Sequence, residues 1–136
     1  MSGQHPHDDS ASSTQQAEET EHNGMILAQY IAKTLLIGVL TRAADNVSHH
    51  FAIKVQTTGL NGQLLETFVE TKTEEGVAVI KILGNEPAAS HLASLCEQYF
   101  RSTAEVSRCD TRFGDAYVVR ITPPSPQVLR SLLWGG

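Results

Sequence analysis

The stretch His50–Leu83, HFAIKVQTTGLNGQLLETFVETKTEEGVAVIKIL, decides the fold. Its hydrophobic period is two. Phe51, Ile53 and Val55 alternate with Lys54 and Gln56, the pattern of a strand buried on one side. Gly59-Leu60-Asn61-Gly62 follows, and Asn-Gly is a strong hairpin signal. Leu65, Thr67, Val69 and Thr71 then share one side of a second strand. Glu74-Glu75-Gly76 turns the chain again, and Val77–Leu83 is a nearly continuous β-branched run of the kind found in central strands. Three strands joined by short turns predict an antiparallel meander.

Downstream, Gly84-Asn85-Glu86-Pro87 stops the sheet and starts a helix, with Pro87 suited to its first turn. Over 87–101, Ala88, Leu92, Leu95, Cys96 and Tyr99 fall at helical spacing, and Ser90, Ser94, Glu97 and Arg101 form the wet side. Two further strands, Glu105–Phe113 and Ala116–Thr122, flank a Phe113-Gly114-Asp115 turn, with Tyr117, Val119 and Ile121 alternating inward. Ser125 and Pro126 cap and open a short last helix whose apolar face is Val128, Leu129, Leu132 and Leu133.

Upstream, residues 25–45, MILAQYIAKTLLIGVLTRAAD, are the most apolar segment. Lys33 splits the run, leaving an uncharged stretch short of the roughly 18–20 residues a membrane span needs. Asn23 is the expected N-cap. At about 100° per residue, Leu27, Ala28, Ile31, Leu35 and Val39 make one strong face. That leaves Ile26, Leu36, Ile37 and Leu40 on the other side, wetted only by Gln29 and Lys33. Four large aliphatics on an outward face predict a partner-binding surface, covered by a second chain or by the last helix.

The whole reads as an α+β fold. It has a single antiparallel sheet of about five strands, the order α-β-β-β-α-β-β-α, and helices packed on the sheet. Residues 25–136 form one domain. Residues 1–24 contain no Ile, Leu, Val, Phe, Tyr or Trp and are expected to be a disordered acidic tail. The net charge of −5 sits there: Met1–Gly24 carries five acids and no Lys or Arg, and the remainder carries ten acids and ten bases. A neutral domain lacks the field that draws in nucleic acid or an anionic membrane, so neither is expected as a partner. Two cysteines and no secretory pattern predict a reducing, cytoplasmic setting.

The element order, size and acidity resemble those of the small dimeric chaperones of type III secretion systems, with no shared motif. The long acidic tail and short last helix depart from that pattern. The ending Gly135-Gly136 resembles the terminus of ubiquitin-like modifiers and sulfur carriers, although a Pro-started helix precedes it here.

Chemistry-bearing groups are sparse. His49 and His50 are adjacent on a strand, so they point to opposite faces, and Cys96 and Cys109 are too far apart for a ligand pair. No nucleophile elbow, zinc-protease motif or phosphate-binding loop occurs. No catalytic residue, metal or cofactor is therefore assigned. Arg108 and Arg112 share a parity on one strand, and Arg120 lies across the turn; together they form a candidate patch for an anion or acidic partner. These observations predict a non-catalytic protein-binding domain: an adaptor, assembly factor or small chaperone acting as a homodimer or in a complex. The alternative is a small enzyme or ligand-binding domain whose pocket has no sequence motif.

Overall fold

The computed structural model describes residues 4–134, with side chains from Gln16 onward. Gly135-Gly136 and residues 1–3 lie outside the described residues. The long N-terminal rod is α1 (Gln4–Ile31), a π-helical turn (Ala32–Leu36) and α2 (Ile37–Ala44). Strands β1 (His50–Thr58), β2 (Leu64–Glu74) and β3 (Val77–Leu83) follow. Then come α3 (Glu86–Tyr99), β4 (Thr103–Thr111), β5 (Gly114–Thr122) and α4 (Pro126–Leu133). The five strands form one sheet in the order β1-β2-β3-β5-β4, every neighbour antiparallel. This is the expected α+β architecture in the expected element order.

The π turn corrects the helical reading. A regular helix repeats its buried face every three or four residues, so Ile31 should be followed by Leu35. The extra residue of a π turn shifts that phase. Burial steps instead from Ile31 to Leu36, then to Val39, Leu40 and Ala43. Within the turn, the Thr34 hydroxyl donates to the carbonyl of Tyr30 at 2.8 Å, the acceptor that an α-helical Thr34 N–H would use. Leu36 and Leu40 are therefore 0% exposed in the chain's own core, not on an outward face. Ile26 is half-buried against that core, and of the four only Ile37 lies on the surface. The run Gln16–Ala44 is long and apolar enough to cross a membrane by length and composition. Its stripe of Leu27, Ile31, Leu36 and Leu40 belongs to the core cluster beneath the sheet.

The start of the first helix also moves. The sequence places an N-cap at Asn23 after a disordered stretch; α1 starts at Gln4. Asn23 lies inside the helix and is buried. Its Oδ1 accepts from the Leu60 N–H at 3.0 Å, and its Nδ2 donates to Gln63. Gly24 is a close approach: a Cβ there would come 2.5 Å from the Cβ of Pro87 on α3. Further up α1, Glu21 Oε1 reaches His91 Nε2 of α3 at 2.7 Å, although no well-formed hydrogen bond results.

Register decides what the helices cover. Val55, Thr67 and Thr71, and Val69 with Ile82, Ile80 with Val119, and Ala78 with Ile121 stand on the helix side. All are buried. Buried Thr67 donates to the carbonyl of Leu83 at 2.7 Å, and Thr71 meets His49 at 3.0 Å, so neither hydroxyl is stranded. Of the residues expected inward, Val55, Val119 and Ile121 are buried on this side, and Tyr117 partly so. Val79 is buried on the opposite side, where it stands in register with Lys72 and Arg120. Phe51 and Ile53 depart from expectation: they share the helix side yet remain 45% and 39% exposed.

The helix ends follow the sequence. The Asn85 side chain accepts from the Ala88 N–H at 2.9 Å, with Pro87 in the first turn of α3. Ser125 caps α4 through the Val128 N–H. At the β2–β3 turn, Glu75 and Gly76 both take positive φ, which suits a tight hairpin.

Candidate partner-binding edge and groove

The exposure of Phe51 and Ile53 has a simple cause. Their register partners on β2, Thr71 and Val69, are buried. α2 packs on β2 and β3, and α3 packs on β4, β5 and β3. α1 reaches only part of β1, where Val55 is buried, and leaves Phe51 and Ile53 open. At Phe51 and Ile53 the outer strand carries core-type side chains on its inner face without a roof over them. Its far side pairs with nothing among the described residues.

The other face of the same edge carries a groove. The tip of the β4–β5 hairpin stands over the outer face opposite β1 and β2, enclosing about 650 Å³. Phe113 on the tip is 79% exposed and Phe68 on β2 is 59% exposed; Ala52, Ile53, Val69 and Leu83 complete the apolar lining. The charged lining is Glu70, Lys81 and Arg112. Glu70 is held by His50 at 2.7 Å and by Lys81 at 3.8 Å. The hydrogen bond from His50 is the main cause that keeps the Glu70 carboxyl below the usual range, with the nearby lysines adding to it. Glu66 is likewise held low, chiefly by the hydrogen bond from Gln56 at 2.7 Å and then by Lys54 at 3.4 Å. Lys72 and Arg120 both reach Glu74 and continue this cross-strand lattice.

The three arginines do not form one patch. Each even-numbered residue of β4 stands opposite an odd-numbered residue of β5, so Arg108 faces Tyr117 on the helix side and Arg120 faces Glu105 on the outer side. Arg108 is engaged by Asp110 and Asp115. Arg112 lies in the turn beyond β4, at the groove, without an ion-pair partner among the described residues.

The remaining chemistry-bearing groups stay apart. His49 and His50 point to opposite faces, to Thr71 and Glu70. Burial lowers the pKa of His49, and the charge of Arg42 adds to this. Cys96 is buried, and its thiol is pushed up to about 12 by burial, then by Glu97. A thiol so hard to ionise is a packing group rather than a nucleophile. Among the described residues, no three His, Cys, Asp or Glu side chains are grouped to hold a metal ion.

On the helical side, Ile37, 44% exposed, sits where two shallow clefts meet. One is walled by Leu95 and Tyr99, the other by Leu133 and Trp134. The sequence reading missed Phe68 and Phe113. Phe68 was legible: it takes an outward position between Glu66 and Glu70 on a strand whose inward set is Leu65, Thr67 and Val69. Comparison with protein-family models, curated proteins and solved structures finds no match to this chain.

Proposed function

We propose that this chain is a non-catalytic protein-binding domain, an adaptor, assembly factor or small chaperone that acts as a subunit of a complex or dimer. One observation carries the reading. Phe51 and Ile53 are patterned for a core and lie in register with core residues, yet they stand open at a free sheet edge. Apolar side chains left uncovered beside further exposed aromatics mark an interaction surface. The groove of Phe68 and Phe113 extends that surface onto the outer face. Two unpaired thiols, Cys96 and Cys109, fit a reducing, cytoplasmic setting.

The ligand-binding alternative draws on the groove volume, which lies within the range of small-molecule sites. Against it, two of the three charged lining groups, Glu70 and Lys81, are already paired with one another. The test is co-purification with the tagged chain in the cells that make it. Phe51→Asp with Ile53→Asp is expected to lose the captured protein while the circular dichroism spectrum and thermal midpoint hold. Capture that survives both substitutions overturns the reading.

A further inference from the structure

We propose that the free edge of β1 receives an extended segment of the partner as a sixth strand, and that this segment alternates apolar and acidic side chains. The inference rests on the protein-binding reading and adds the mode and chemistry of the partner. An edge strand offers a row of unpaired N–H and C=O groups, and proteins that keep such an edge free of partners guard it with charge, proline or a bulge. β1 has nine residues and no proline, and its one guard charge, Lys54, is drawn inward to Glu66. Main-chain hydrogen bonds to such an edge supply affinity, and alternate side chains supply specificity.

The two faces of β1 state what those side chains are. On the helix side, Phe51 and Ile53 are half-uncovered, so every second residue of an added strand meets apolar surface. On the outer side, the only charged or ionisable groups of β1 are His50 and Lys54. They already reach inward to Glu70 and Glu66 on β2, and the Lys54 side chain is still 45% exposed. An acid on the added strand gives Lys54 a second carboxylate, whereas a base faces like charge. The neighbouring groove points the same way, since its charged lining is Lys81 and Arg112 against the single acid Glu70. A second copy of β1 is a poorer occupant: it brings no acid, and antiparallel pairing centred on Lys54 sets lysine against lysine.

The test uses the full chain and two fluorescein-labelled peptides, Ser-Val-Glu-Ile-Glu-Val-Ser and Ser-Val-Lys-Ile-Lys-Val-Ser. The acidic peptide is expected to bind about fivefold tighter or more, the size of a favourable cross-strand charge pair. Lys54→Glu is expected to reverse the preference, and Lys54→Gln to abolish it. N-methylation of alternate peptide nitrogens in the acidic peptide is expected to remove binding, and amide protection on binding is expected to rise in β1 and not in β4. Equal affinities, no response to Lys54→Glu, tolerance of N-methylation, protection at β4, or a wild-type dimer joined through β1 each overturn the proposal. If neither peptide binds while Phe51→Asp with Ile53→Asp still loses the captured protein, strand addition falls and the protein-binding reading stands.

Discussion

β1 and β4 are the two free ends of one sheet, equal in length, and they are finished differently. β4 carries Glu105, Arg108 and Asp110, so both of its faces bear charge. α3 packs against it, and Val106 is its one large apolar side chain left partly open. β1 has Phe51, Ala52 and Ile53 in sequence and Lys54 as its only formal charge, and Phe51 and Ile53 stay half-exposed. Charge on an edge strand discourages pairing with other chains. By that measure β4 is a closed end and β1 an open one. Nothing about fold stability requires the asymmetry, because β3 and β5 hold the core at the centre of the sheet. Under the protein-binding proposal, the difference serves interaction rather than folding.

The largest expected effect tests whether the roof really leaves Phe51 open. Leu36 is fully buried under the central strands, so Leu36→Ala should cost about 2–5 kcal/mol in denaturant unfolding. Phe51→Ala, at the uncovered edge, should cost about 1 kcal/mol or less, the scale of a lost cross-strand contact. For the same reason, Leu36→Glu with Leu40→Glu should unfold the chain rather than release a folded monomer. Equal costs at Leu36 and Phe51 would mean that the edge is part of the core. A smaller effect on stability but a decisive one on binding separates the ends: Ile53→Asp should abolish partner capture, and Val106→Asp, equally exposed on β4, should leave it intact. Capture lost only with Val106→Asp would reverse the assignment of open and closed ends.

How much of this was legible varies with the range of the physics involved. Period-two alternation and the Gly76 and Asn61-Gly62 turns are local, so the strands were readable, as were Pro87 and Ser125 at the helix starts. The π turn was not, because one inserted residue leaves composition and spacing unremarkable. It is fixed by packing, which places Leu36, Val39 and Leu40 on the same side as Leu27 and Ile31. A two-sided helix in the sequence is thus a one-sided helix with a phase slip. Strand order was equally hidden: β5 inserts between β3 and β4. That placement makes β4, not β5, the second edge and brings Arg120 to Glu74. The exposure of Phe51 follows from how far the helices cover β1, not from its own neighbours in the chain, so alternation alone read it as buried.

The finest distinction between the ends is their response to acid. Glu66 and Glu70 lie on the strand that anchors β1, and both carboxyls are held low, Glu66 first by Gln56 and Glu70 first by His50. A carboxyl whose folded value lies below its unfolded value of 4.5 contributes stability that is fully present above 4.5 and is lost as pH falls through the folded value. Glu70 is about a third exposed, so solvent screening limits its share to about 0.5 kcal/mol. Hydrogen-exchange protection in β1 should therefore fall about twofold below pH 4.5 as Glu70 takes up its proton. Glu70→Gln should flatten that profile, since a neutral amide has no proton to gain. Protection that stays level through the acid range in the wild type would mean that the outer-face pairs do not hold β1 to β2. The openness of that end would then rest on Phe51 and Ile53 alone.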